Sequence, residues 1–149
     1  MPDLRTSIGQ HGEELAAAYL EQQGYRLVAA NVTLPVGRNR RGAIVNAEID
    51  LVAYDQSTLC FVEVKTRSSD WFAPPQANVD LRKRRQVMRA ARAYRHMLGL
   101  DQTPYRYDVV TVVLPSDSEP DARLQIEILR SFWNEDKLRK RNWTERYWD

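Results

Sequence analysis

A chain of 149 residues that is 43% hydrophobic and 28% charged suits one soluble domain with its own core, and a second domain is not expected. A lone cysteine, Cys60, excludes an internal disulfide framework, and no run approaches the roughly 18 apolar residues of a membrane-spanning helix. Net charge is +2 against a pI of about 8.8, so attraction to an anionic partner rests on local clusters of basic residues.

The start, Met1 to Ser7, lacks the apolar segment of a secretory signal, and a cytoplasmic protein with a buried, inert Cys60 thiol is expected. Between Ser7 and Gln23 the residues Ile8, Leu15, Ala16, Tyr19 and Leu20 recur at helical spacing, and Gly24 follows as a stop. Tyr25 to Asn31 reads as a first strand. Thr33 to Asn46 mixes Pro35, Gly37 and Gly42 with Arg38, Arg40 and Arg41, which predicts a basic loop. Glu48 to Tyr54 and Thr58 to Lys65 are strand-like runs joined by Asp55-Gln56-Ser57, a connection that suits an antiparallel hairpin.

Arg67 to Val79 contains Pro74 and Pro75 and reads as a loop, whose Trp71 and Phe72 are either packed lids, the favoured reading, or exposed ligand contacts. Asp80 is a good N-cap for a helix reaching Leu98, with Val87, Ala91, Tyr94 and Leu98 as its apolar stripe and Gly99 as its stop. Beside that stripe Arg82, Arg85, Arg89 and Arg92 form a basic one. Like charges as dense as Arg82-Lys83-Arg84-Arg85 repel unless an anion neutralises them, so phosphate contact stands level with a merely solvated face. Tyr105 to Leu114 is β-rich and apolar, as an inner strand should be, and Leu124 to Leu129 alternates loosely, like an edge strand. From Trp133 to Asp149 a basic tail with Trp143 and Trp148 suits a surface helix, a nucleic-acid-binding arm or an oligomer contact equally.

The chemistry concentrates in the middle of the chain, Asp50 to Lys65. A strand alternates faces, so Phe61, Glu63 and Lys65 share one face, and the hairpin returns Asp50 toward Glu63. Charged groups in so apolar a run are costly to bury unless paired or bound to metal. With Glu13 of the first helix they form a set, Glu13, Asp50, Glu63 and Lys65, that suits a magnesium-dependent phosphodiester hydrolase, because Mg²⁺ takes carboxylate and water oxygens and a lysine can orient the attacking water. Asp108 is read as a structural carboxylate. Glu48 is placed off Asp50's face in a regular strand, a rule that a bulge would break. His11 and His96 have no zinc-ligand spacing, and phosphate-loop, nucleophile-elbow and dinucleotide motifs are absent from the sequence.

Gly9-Gln10-His11-Gly12-Glu13, Ala47-Glu48-Ile49-Asp50-Leu51-Val52-Ala53, Phe61-Val62-Glu63-Val64-Lys65-Thr66-Arg67 and Arg106-Tyr107-Asp108-Val109-Val110, in that order, resemble the bacterial YraN family, also called UPF0102, from about Ile8 to Phe132. That family resembles the PD-(D/E)xK nucleases and archaeal Holliday-junction resolvases. The resemblance implies an α/β, restriction-endonuclease-like, three-layer fold: a central mixed β-sheet flanked by helices over residues 1–132, with 133–149 as an extension. It implies Asp50 and Glu63 as metal ligands with the main-chain carbonyl of Val64, Lys65 as the catalytic lysine and Glu13 as the helix carboxylate. Thr66 and Arg67 extend the motif toward phosphate, and Arg38, Arg40, Arg41, Arg82, Lys83, Arg85 and Arg89 are the further candidates for nucleic-acid contact. Ala47 stands where the family usually has glycine, and the basic loop and the tail are longer than the family's usual ones.

The expectation is therefore an endonuclease using Mg²⁺, or Mn²⁺ in its place, on branched or single-stranded DNA in recombination or repair. A symmetric junction would call for a homodimer. The rival is a nucleic-acid-binding protein that keeps the fold without turnover, and an RNA substrate is a third reading.

Overall fold

The computed structural model describes residues 4–69, 78–118, 121 and 123–135. The expectations for Trp71, Phe72 and the basic part of the tail lie outside these residues. The elements run α1 (Leu4–Gln22), β1 (Arg26–Arg38), β2 (Ile44–Asp55), β3 (Thr58–Ser68), α2 (Leu81–Met97), β4 (Tyr105–Leu114) and β5 (Gln125–Trp133). The strands form one five-stranded sheet in the order β1-β2-β3-β4-β5. β3 and β4 are parallel and the other neighbours antiparallel, so the sheet is mixed, and α2 is the crossover a parallel pair requires.

Each face of the sheet is covered by one helix, which makes three layers. On one side Ala16 and Leu20 of α1 pack on Leu51, Ala53, Cys60, Val62, Val64 and Val110. On the other, Val87, Ala90, Ala91 and Tyr94 of α2 meet Ile49, Val52, Leu59, Phe61 and Val109. Full burial of each large aliphatic or aromatic side chain contributes about 1.5–3 kcal/mol, so the sheet is held from both faces. Cys60 lies within the α1 side, fully buried, and burial pushes its thiol up to about 12. Among the described residues no helix is long and apolar enough to cross a membrane.

Asp80 caps α2 by accepting from the Lys83 N–H, as its position before the helix predicts. The apolar stripe is shifted, however: Leu98 is 56% exposed as the C-cap, and Ala90 takes a place in the core. The predicted loop from Thr33 to Asn46 is a correction. β1 continues to Arg38 and pairs with β2 through Thr33↔Glu48, Leu34↔Ala47 and Pro35↔Asn46. Pro35 is tolerated because β1 is an edge strand and the register shifts between Pro35 and Gly37. The turn itself is confined to Asn39–Ala43, where the Asn39 side chain accepts from the Arg41 and Ala43 N–H groups and Gly42 adopts a φ of 81°.

Strand β5 carries past Phe132 to Trp133, which stacks on Tyr107 with ring centroids 4.8 Å apart. Glu135 then accepts from the Tyr105 and Tyr107 hydroxyls at 2.9 and 2.6 Å, so the first residues after Phe132 pack with the domain.

Candidate active site

Pairing between β2 and β3 stops at Leu51↔Val62. The next pair would be Asp50 and Glu63, and there the strands part. Asp50 Oδ2 accepts the Val64 N–H at 2.8 Å, so a side chain replaces the missing backbone acceptor and pins the carboxylate at the opening. Alternation also breaks at this point: Ala47 and Ile49 belong to the α2-side core, Leu51 and Ala53 to the α1-side core. Opposite in β1, Val32 packs with the α2-side core, and between Ala30↔Leu51 and Val32↔Ile49 stands Asn31 with a left-handed φ of 52°. Both strands bend together at the Asn31/Asp50 step.

Glu63 is 4% exposed on the α2 side of the sheet. Its Oε1 lies 3.8 Å from Lys65 Nζ and 3.8 Å from Lys83 Nζ, and its Oε2 finds no hydrogen-bond partner among the described residues. Burial first, and Asp50 second, push its carboxyl up to about 7 against the pull of the two lysines. Lys83, a candidate phosphate contact in the sequence, is instead turned toward Glu63: the first turn of α2 brings its ammonium to that carboxylate.

On the α1 side Glu13 is half-buried, and its carboxyl is raised by burial and then by Asp50. Gly12 sets this approach, since a Cβ there would overlap the side chain of Thr66. Thr66 is thus a packing residue against α1. Glu48 is also drawn in, contrary to expectation. Ile49 belongs to the α2-side core, so its neighbour Glu48 faces the α1 side, and Glu48 contributes to the raised carboxyl of Glu13. Of the two orientations of the Asn31 amide, the one with nitrogen toward the carboxylates satisfies both: Nδ2 donates to Glu13 Oε2 at 2.9 Å and to Glu48 Oε1 at 3.0 Å. The x-x spacing Glu48-x-Asp50 carried a signal for Glu48, whereas nothing in the sequence marked Asn31.

The basic candidates divide. Arg40, Arg41 and Arg82 are exposed, the first two at the tip of the β1–β2 hairpin. Arg38 donates to the Gly42 carbonyl at 2.6 Å and Arg89 to the Val36 carbonyl at 2.7 Å, tying down the turn and binding α2 to β1. Arg67 is half-buried with a long contact to the Ser68 carbonyl, and Arg85 is half-buried on α2. Asp108, fully buried, accepts from Tyr25, Arg106 and the Ser131 N–H, and Arg106 also reaches Asp55 at 2.7 Å. Asp108 stands beside Val62 in the β3/β4 pair, and its carboxylate is taken up by these structural hydrogen bonds.

Two carboxylates side by side with an orphaned, buried oxygen are a fit for a hard cation, whose charge would relieve their repulsion. Among the described residues no three His, Cys, Asp or Glu side chains converge closely enough to enclose an ion alone. Water, main-chain and substrate oxygens would have to complete the shell, as is usual for Mg²⁺.

Fold and site together define an α/β protein with one mixed sheet, whose β2/β3 opening gathers carboxylates and lysines. The chain belongs to UPF0102: the model of the uncharacterised protein family UPF0102 matches residues 12–112, a span that includes Glu13, Asn31, Glu48, Asp50, Glu63, Lys65 and Lys83. It is similar to a UPF0102 protein of Chlorobium limicola, 37% identical over 131 residues that cover 87% of this chain and 94% of the relative. A UPF0102 protein of Symbiobacterium thermophilum is 39% identical over 124 residues, 83% of this chain and 93% of its own. One of Solibacter usitatus is 44% identical over 106 residues, 71% and 74% respectively.

Proposed function

We propose that the protein is a metal-dependent endonuclease that hydrolyses phosphodiester bonds in DNA, on branched or single-stranded substrates, within the cytoplasm. The observation that carries this reading is Glu63: a buried carboxylate with one unpartnered oxygen, pressed against Asp50 and flanked by the ammoniums of Lys65 and Lys83. A buried carboxylate oxygen in a structural ion pair is as a rule hydrogen-bonded, and a second carboxylate beside it adds repulsion that a bound cation would relieve.

Asp50, Glu63 and the Val64 carbonyl are the groups that would hold Mg²⁺ or Mn²⁺. When bound, the ion supplies positive charge against the phosphate and acidifies a water. Lys65, 39% exposed at the side chain, has the reach to orient that water and to bind a phosphate oxygen. Lys83 neutralises Glu63 from the opposite flank. Arg40, Arg41 and Arg82, exposed around the site's two flanking elements, would meet the backbone without reading bases. The likeness to restriction-endonuclease-like folds, a mixed sheet between helices with Asp and Glu-x-Lys on adjacent strands, supports the same reading.

The test is cleavage of branched, single-stranded and duplex DNA, and of RNA, by the purified chain with Mg²⁺ or Mn²⁺. Metal-dependent cleavage of DNA is expected, with a loss of at least about 100-fold in Asp50→Ala and Lys65→Ala, the scale of removing one electrostatic stabiliser. Salt-sensitive binding with no cleavage would establish the non-catalytic binder instead, and cleavage that survives Asp50→Ala would overturn the site.

A further inference from the structure

We infer that Asn31 is a positioning residue that ties Glu13 of α1 to Glu48 of β2 and thereby makes Glu48 a further carboxylate of the site. The inference rests on the metal-dependent reading above.

Glu13 and Glu48 come from different elements and carry the same charge, so at an open site they would swing apart into water. The Asn31 amide has two N–H donors and spends one on each, at 2.9 and 3.0 Å. This holds both carboxylates toward the Asp50 end of the β2/β3 opening. The backbone of Asn31 serves the same end. Its φ of 52° lies in the left-handed region, where asparagine is among the few side chains tolerated, and it occupies the position opposite Asp50 in the strand pair. One residue therefore bends the edge strand beside Asp50 and, through its side chain, clamps the two flanking carboxylates.

Glycine separates these two jobs. It adopts a left-handed φ more readily than asparagine and has no amide, so Asn31→Gly keeps the bend and removes the clamp. The experiment is Mn²⁺ binding to the full chain, read from the electron paramagnetic resonance signal of free Mn²⁺, alongside thermal unfolding, for the wild type, Asn31→Gly, Glu48→Ala and Asp50→Asn. The wild type is expected to bind and Asp50→Asn to fail. Asn31→Gly is expected to keep the wild-type unfolding midpoint and to lose roughly tenfold in affinity, the low end for an outer partner of a metal ligand. Glu48→Ala should lose at least as much.

Wild-type affinity in Asn31→Gly or in Glu48→Ala overturns the inference and leaves the nuclease reading standing. A fall in the unfolding midpoint of Asn31→Gly marks the amide as structural and also overturns it. A wild type that binds no Mn²⁺ overturns both.

Discussion

A carboxyl with an ordinary pKa of 4.5 is ionised at neutral pH, but Glu63, buried beside Asp50, is pushed up to about 7. The folded protein therefore holds this proton more tightly than the unfolded chain does. Stability is greatest below the unfolded value and falls as pH rises from about 4.5 to about 7, above which both states are ionised. Metal-free wild type should lose stability over that window relative to Glu63→Gln, which cannot titrate. At roughly 1.4 kcal/mol per pKa unit, the midpoints of the two proteins should diverge by on the order of 5 °C between pH 5 and pH 7.5. Parallel midpoints in thermal scans would show that Glu63 is not strained. Glu63 and Lys65 were legible because a two-residue spacing on a strand needs no knowledge of the rest of the fold. Lys83 was not, because in sequence it is one of four consecutive basic residues and only the placement of α2 singles it out.

At the scale of elements, the approach of α1 to the site is set by a close contact at Gly12. Gly12 lies against Thr66 of β3, next to Glu13 and Lys65, and a methyl group there would overlap the threonine side chain. Gly12→Ala should cost about 1–3 kcal/mol by overpacking, less up to about 1 kcal/mol returned by alanine's better helix propensity. Activity should fall further than stability, since the helix shifts Glu13 with it. Adding Thr66→Ala should recover part of both, read by denaturant unfolding and by cleavage. An unfolding midpoint for Gly12→Ala at or above that of the wild type would show that the helix approach is not tight. The hairpin of β1 and β2 was misread at this scale, because Pro35, Gly37 and three arginines resemble a loop in composition. An edge strand tolerates all of them: its outer hydrogen-bonding side has no partner to lose, and its exposed side chains need no apolar pattern.

Across the whole molecule, a net charge of +2 gives little general attraction to DNA, so the proposed binding would depend on where the cations stand. Several of them, Arg38, Lys83 and Arg89 included, are committed by intramolecular partners to the fold or the site. Arg40 and Arg41 at the hairpin tip are exposed, and replacing both with alanine should reduce the salt dependence of DNA binding by about one phosphate contact each, with the fold unchanged. Equal slopes of log affinity against log salt for the wild type and the double variant would remove the hairpin from the interface.

The amino-acid sequence by itself determined the two helices, the inner strands, the buried thiol and the pairing of Glu63 with Lys65, because each follows from spacing within a single element. Only the tertiary structure decided that β2 and β3 part at Asp50, that Lys83 joins Glu63, and that Asn31 gathers Glu13 and Glu48. Those contacts join residues from different elements, and their geometry is set by how two helices and a bent edge strand pack around the sheet.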